Sequence, residues 1–335
     1  MILPEYYGIS ENFKKANQRY QQHPKIPDWF AGKIKDYLAY MKTYSYYVLD
    51  VFSNVRYKGN PLAVVLTDSD LDTASYADIA REFGYSETSF IYYSKREKAL
   101  KVRSFTPTGF EVGGAGHNLL GAVAAAILIE LDIFSGQEQT QFVVMKDDVI
   151  DLSIDLSVRK APIIGMRQSP ASILATVPRE DVARALSLDA GQVLSEDLYP
   201  AVVSTEATHL MVPLKDTAAL RAATVEKKLL IKIAEHYGFE GFYCFTILDS
   251  DPNYLAQARF FNPGIGIDED PATGSAAGPL AGYLQQMGYV KPATDYQILQ
   301  GVEIGRPSVI HFNAGPDGIW ISGSAVIVME GKIHI

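Results

Sequence analysis

The sequence predicts an α+β protein of two pseudo-symmetric lobes, each a curved sheet wrapped round a central helix, with the active site in the cleft between them. Three observations lead there. The chain repeats itself in order, at an offset that drifts from 154 residues at Ile79 and Ile233 to 156 at Arg103 and Arg259. Each half holds one long helical pattern almost free of charge. Each of those patterns follows a Gly-rich loop. A period this long duplicates a lobe and does not stack short repeats.

Residues 1–44 stand apart in composition, rich in Tyr, Lys and Gln and containing Pro24 and Pro27. Within them, Asp28 caps a pattern through Trp29, Phe30, Ile34, Leu38 and Met41 that reads as an amphipathic helix. This extension packs on the rest, joins an oligomer interface or covers the cleft; the sequence leaves all three open. The first lobe is expected over 45–160 together with about 320–335, and the second over 161–319.

In the first lobe, Ile79-Ala-Arg-Glu-Phe-Gly-Tyr85 reads as a helix end, a Gly stop and a strand running to about Tyr93. Ile233-Ala-Glu-His-Tyr-Gly-Phe239 reads the same way, with its strand over Phe242 to Leu248. Arg103-Ser-Phe-Thr-Pro107 matches Arg259-Phe-Phe-Asn-Pro263. The apolar helices then run from about Gly116-His117-Asn118 to Leu131 and from about Gly274-Ser275-Ala276 to Met287. The uncharged run Leu119 to Ile129 is too short to span a bilayer. Both helices are expected inside their sheets, with their N-termini facing the lobe interface. A helix N-terminus carries unpaired N–H groups and partial positive charge, so two facing one cleft suit a carboxylate. Gly116 and Gly274 serve equally well as small residues for close helix–sheet packing.

Composition removes other classes. The net charge is −9 with no dense basic run, against nucleic acid or an anionic membrane as partner. Cys244 is the sole thiol and lies in a strand pattern, so no disulfide framework exists within the chain. The six His show no close ligand spacing, and no GxGxxG or P-loop asks for a nucleotide. The start lacks a signal peptide's layout, which makes a cytoplasmic protein the expectation.

Read together, Leu49-Asp-Val-Phe52, Gly59-Asn-Pro61, Ser86-Glu-Thr88, Phe105-Thr-Pro107, Ala115-Gly-His117, Glu269-Asp-Pro-Ala-Thr-Gly-Ser275 and Gln300-Gly301 through Gly305-Arg-Pro-Ser308 resemble the PhzF family of phenazine-biosynthesis-like isomerases over roughly residues 45 to 330. The resemblance implies the diaminopimelate epimerase-like fold, a homodimer, no cofactor, and isomerisation of a small carboxylate-bearing metabolite by hydrogen relocation, in secondary metabolism. Carried over, it makes Glu87 the catalytic acid/base, with Gly116 and His117 as contacts from the first lobe and Asp270, Gly274 and Ser275 from the second.

The residue types suit that chemistry. Moving a proton between carbons needs a base that later acts as an acid, and a carboxyl group does so when burial lifts its pKa. Aligned through Gly84 and Gly238, Glu87 falls opposite Gly241, so the second lobe has no equivalent base. Fold relatives that racemise amino acids use paired thiols; here Ala115 and Pro271 stand near those places. A single carboxyl suits a one-face hydrogen shift. Inversion at one carbon would draw a second acid from Asp270 or His117. His117 is a neutral hydrogen-bonding imidazole or a helix cap, Asp270 a site residue or a turn residue, and Ser275 a cap or a substrate contact. Arg306 and Arg259 either bind a carboxylate or tie the lobes together, and the tie is the expectation.

Three departures bear on the substrate. Gly113 and Gly114 replace bulk before Ala-Gly-His, which enlarges the pocket or loosens the loop; Asn118 adds a polar group there; and Glu206, where the family often has Gly, brings a carboxylate near the site or, as the favoured expectation, is a solvated turn residue. A cyclase or lyase on the same residues, or a silent metabolite-binding protein, are the competing readings.

Overall fold

The computed structural model describes residues 42–114, 116–131, 133–134, 140–158 and 160–335. The helix expected around Asp28 to Met41, and Ala115, lie outside them. Tyr44–Ile333 form one compact unit; in the other, Lys42 and Ile335 exchange backbone hydrogen bonds of 3.0 and 2.8 Å.

The first lobe begins with β1 (Thr43–Val51), β2 (Asn60–Leu66), α1 (Thr73–Phe83), β3 (Thr88–Ser94), β4 (Ala99–Phe105) and β5 (Glu111–Val112). It continues through α2 (His117–Leu128), β6 (Thr140–Met145), β7 (Asp148–Asp155) and β8 (Ile163–Gln168). The second begins with β9 (Ser172–Thr176), α3 (Arg179–Ala185), β10 (Ala201–Ser204), β11 (Thr208–Pro213), α4 (Thr217–Ala222) and α5 (Lys227–Tyr237). It continues through β12 (Gly241–Ile247), β13 (Ala256–Asn262), β14 (Ile267–Asp270), α6 (Gly274–Gln286), β15 (Asp295–Gln300), β16 (Ser308–Gly315) and β17 (Gly318–Gly323). A last strand, β18 (Ala325–His334), returns to β1.

Strand pairing makes the duplication explicit. The first sheet pairs in the order β18, β1, β2, β3, β4, β6, β7, β8, with parallel contacts only at β2–β3 and β4–β6 among the registered pairs. The second pairs β9, β10, β11, β12, β13, β15, β16, β17, parallel at β11–β12 and β13–β15. By these pairings β8 belongs with the first lobe and β17 with the second, a few residues from the sequence-based boundaries at 160 and 320. Alternation in so short a strand carries no mark of which sheet it joins. β8 and β17 also pair antiparallel with each other, so the two sheets share a hydrogen-bonded seam.

The local signals act as expected. The carboxylate of Asp72 accepts from Ser75 N at 2.9 Å to start α1, and Gly84 ends it at φ 68°. Gly238 ends α5 at φ 72°. α2 is buried from His117 through Ile127, which explains its lack of charge. It stops at Leu128, three residues before the expected Leu131. Glu130 turns to φ 60°, and Leu131 N reaches back to Ala126 O in a Schellman-type closure that the sequence reading missed for want of a Gly. Around α6 the core gathers Ala276, Ala277, Leu280, Ala281 and Leu284 against Met211, Tyr243 and Phe245. No helix among the described residues is long and apolar enough to cross a membrane.

The two arginines divide. Arg306, in the loop between β15 and β16, donates to the carboxylate of Asp50 at 2.5 Å and to Gly59 O at 2.7 Å, and so joins the lobes as expected. Arg259 does not. Its guanidinium pairs with Glu269 at 3.0 and 2.8 Å and donates to Leu220 O and Ala223 O, all within the second lobe. Its counterpart Arg103 pairs with Glu111 in the first. Each guanidinium lies over the aromatic ring two residues on, Phe105 or Phe261, so the matched Arg-x-Phe pattern encodes a strand-to-strand brace repeated once per lobe.

Candidate active site

Both central helices begin at one cleft of about 1880 Å³, lined by Ser86, Glu87, Gly116, His117 and Asn118 from the first lobe and by Asp270, Thr273, Gly274 and Ser275 from the second. All seven residues singled out as site candidates therefore come together. His117 and Asn118, which begin α2, and Gly274 and Ser275, which begin α6, line this space, at helix ends where N–H groups lack i−4 acceptors and partial positive charge gathers.

Glu87 precedes β3 and follows the Gly84 turn. Its Oε2 stands 3.1 Å from His117 Nε2, without the alignment of a hydrogen bond, and is shut off from solvent. The side chain as a whole keeps 18% exposure, toward the cleft. Burial pushes its pKa up to about 7, with the Ser86 hydroxyl acting weakly the other way. Position 241, which the duplication sets against Glu87, has no room for a base. A Cβ there would meet Phe260 Cζ at 2.4 Å, so Gly241 is required by the ring that fills the space.

His117 is the first residue of α2, and its Nε2 turns to Glu87 and to Ser86 Oγ at 3.5 Å, away from any capping role. Burial lowers its pKa while Asp270 raises it, and the net direction is downward, toward the neutral ring. Asn118 does the capping. Its Oδ1 accepts from Gly116 N and Leu119 N at 2.8 Å, and its Nδ2 donates to Gly114 O at 3.1 Å. The extra polar group expected in the pocket thus holds the Gly113–Gly116 loop. A Cβ at Gly114 would touch nothing within 4 Å, which fits a pocket widened by lost bulk.

Asp270 ends β14, buried. Asn60 donates to its Oδ1 at 2.8 Å and Thr273 to its Oδ2 at 2.5 Å. Its pKa rises to about 6, through burial first and the nearby Glu87; His117, Thr273 and Asn60 oppose the rise. Gln300 holds the loop from beneath. Its amide donates to Asp270 O at 2.9 Å and Thr273 Oγ1 at 3.1 Å, and accepts from Tyr243 OH at 2.8 Å and Thr273 N at 3.2 Å. Ser275 is not the cap of α6. Thr273 is the N-cap, without a side-chain cap bond, and Ser275 is the second helical residue, partly open to the cleft. Gln168 donates to Gly274 O and accepts from Thr205, and so fixes the start of α6 to β8. Glu206 lines the cleft mouth with its carboxylate committed to Ser169 N and Oγ, both at 2.7 Å.

Asn60 and Gln300 belong to the site's frame although the sequence reading gave them no role. Both stood inside matched motifs, Gly59-Asn-Pro61 and Gln300-Gly301, and that was the available signal. Among the described residues no group of His, Cys, Asp and Glu is arranged to hold a metal ion.

Set against known proteins, residues 49–331 match the family described as phenazine biosynthesis-like protein. An uncharacterized isomerase of Clostridium acetobutylicum is 31% identical over 306 residues, covering 88% of this chain and 99% of its own. The trans-2,3-dihydro-3-hydroxyanthranilate isomerase of Pseudomonas aeruginosa is 30% identical over 297 residues, covering 87% and 99%. Among solved structures, a PhzF-family phenazine biosynthesis protein of Bacillus anthracis superposes with TM-score 0.77 at 24% identity, over 88% of this chain and all of that one. A hydroxyproline epimerase of Agrobacterium vitis shares the fold alone, with TM-score 0.56 at 10% identity over 88% of this chain and 93% of that one.

Proposed function

The chain belongs to the phenazine biosynthesis-like family of isomerases, with the diaminopimelate epimerase-like fold, and on that premise we propose that it relocates a proton on a small carboxylate-bearing metabolite, without a cofactor and with Glu87 as acid and base. The observation that carries this reading is the Glu87 carboxyl, buried with its pKa near neutrality and its Oε2 without a hydrogen bond among the described residues, beside an imidazole held neutral, where two helix N-termini meet. The substrate carboxylate docks at the amides that begin α2 and α6. Glu87, ionised, removes a proton from carbon. The electron pair left behind spreads into the conjugated acid, and the same amides stabilise the added charge. The C–H bond re-forms at another carbon as Glu87 returns the proton, so the substrate's composition is unchanged. His117 and Asp270 hold the proton's path and the charge balance around Glu87. Secondary metabolism is the setting this reading assigns, from the relatives' names.

Turnover of trans-2,3-dihydro-3-hydroxyanthranilate in deuterated water tests the reaction class. An isomer of unchanged carbon skeleton, with no ring closure, is the expected result, and deuterium enters at the new C–H to the extent that Glu87 exchanges its proton with solvent before returning it. Ring formation would favour a cyclase, and neither isomer nor ring would leave a binding protein. The pH profile tests the base. Glu87 must be ionised to start, so kcat/KM is expected to rise with pH through about 7. A rising limb in the ordinary carboxylate range would mean that the base is not this buried group.

A further inference from the structure

One buried polar side chain at the cleft takes no part in that chemistry. His209 lies on β11, between Leu210 and Thr208. Leu210 and Val212 pack with the outer helices, whereas Met211 packs in the core round α6. By alternation His209 shares the inner face with Met211. It borders the cleft with Asp270, Gly274 and Ser275, yet is only 1% exposed. Neither Nδ1 nor Nε2 has a hydrogen-bond partner among the described residues. Buried polar atoms are paired in the great majority of cases, and an unpaired imidazole asks for a reason.

Its surroundings supply one. The ring stands edge-on to Phe260, centroids 5.2 Å apart at 86°. Phe260 is the side chain that fills the space over Gly241, and its backbone pairs with Asp270. His209 also lies directly opposite Gly241 in the parallel register. The imidazole therefore stands beside the place that the duplication makes the second lobe's counterpart of Glu87. Burial drives its pKa down to about 3, so the ring is neutral at working pH and offers one N–H donor and one nitrogen acceptor. The neighbouring polar groups already have partners: Asp270 with Asn60 and Thr273, Gln168 with Thr205 and Gly274.

We propose that His209 is a substrate-recognition residue, which pairs with an uncharged hydroxyl or amino group of the substrate on the second-lobe side while the carboxylate rests on the helix termini. The proposal rests on the isomerase reading only for where the carboxylate sits. It makes the substrate a hydroxylated or aminated acid, since a plain hydrocarbon acid leaves the imidazole unpaired. A cation is disfavoured, because half of the ring's capacity is a donor.

The test compares benzoate with the three monohydroxybenzoates as calorimetric probes on the full chain. At least one hydroxybenzoate is expected to bind about tenfold tighter than benzoate, the ratio one net hydrogen bond provides. His209→Leu and His209→Phe each remove both nitrogens and are expected to abolish that ratio, and His209→Gln to restore part of it. Free of ligand, His209→Leu is expected to melt about 2–4 °C higher, since it removes an unpaired polar group from the interior. A hydroxyl preference that survives in whichever apolar variant folds, or its absence from the unaltered protein, overturns the proposal. Isomer formation from trans-2,3-dihydro-3-hydroxyanthranilate is read separately. A preference lost with His209 but no isomer formed would retain this site and reject the isomerase reading; isomer formed with an unchanged preference would do the reverse.

Discussion

Glu87→Gln is expected to lower kcat by about 10²–10⁴-fold while leaving substrate binding nearly unchanged, because the amide keeps the carboxyl's shape and loses its proton. The same change is expected to alter stability with a definite sign. In the folded protein Glu87 titrates near 7 against an ordinary 4.5, so its native form favours the proton. The stability it contributes is fully present below about 4.5 and is lost as pH rises toward 7. A glutamine has no such loss. The variant should gain on the unaltered protein across that window by something on the order of 3 kcal/mol, and hold the gain above it. Denaturant midpoints at pH 4.5 and 8 measure the difference. Turnover within tenfold of the unaltered enzyme would remove Glu87 from the acid/base role. An equal stability difference at both pH values would mean that its carboxyl is not held away from ionisation.

Gln300→Met is the second large effect, and it acts through the frame. Gln300 is fully buried and forms four hydrogen bonds with three residues. A methionine of similar length removes all four. Tyr243 OH and Thr273 N then lie buried without an acceptor, and the Asp270 carbonyl loses a donor. At about 1–3 kcal/mol for each stranded group, and allowing for relaxation, a loss of about 3–5 kcal/mol is expected. Tyr243→Phe removes one of the bonds together with its donor, and is expected to lower stability by only about 1 kcal/mol. Chemical denaturation separates the two. Catalysis should fall further than stability accounts for, because the loop that Gln300 holds carries Asp270 and begins α6. A Gln300→Met protein as stable as the unaltered chain would mean that water replaces the amide there.

Much of the fold was legible because duplication writes the same local physics twice. Gly84 and Gly238 end α1 and α5 in the left-handed conformation, which sequence marks plainly. The absence of charge along α2 and α6 marks helices with no face to solvent. That the candidate residues share one cleft was legible through motif order, and Glu87 against Gly241 held a physical meaning that only Phe260's position explains. Other features were not legible. Asn60 reaches Asp270 across 210 residues of sequence, and no periodicity records such a pair. Arg259 and Arg306 looked alike as lone cations, and only the strand register separates a brace within one lobe from a tie between two. The short strands β8 and β17 could not be assigned to a lobe from alternation alone, since each pairs on both sides of the seam.

The return of β18 to β1 sets an order of assembly. That strand lies after Gly323, beyond every element of the second lobe, yet among the described residues it pairs with β1 and so completes the first. On a ribosome, β1 through β8 emerge first and wait with one edge unpaired. The second lobe, contiguous from β9 to β17, has all its strands available earlier than the first has its last. The half that holds Glu87 therefore has its full set of strands later than the half that holds Asp270, and the cleft between them is complete only once the final strand is in place. An exposed edge during that interval is a site for wrong pairing between chains.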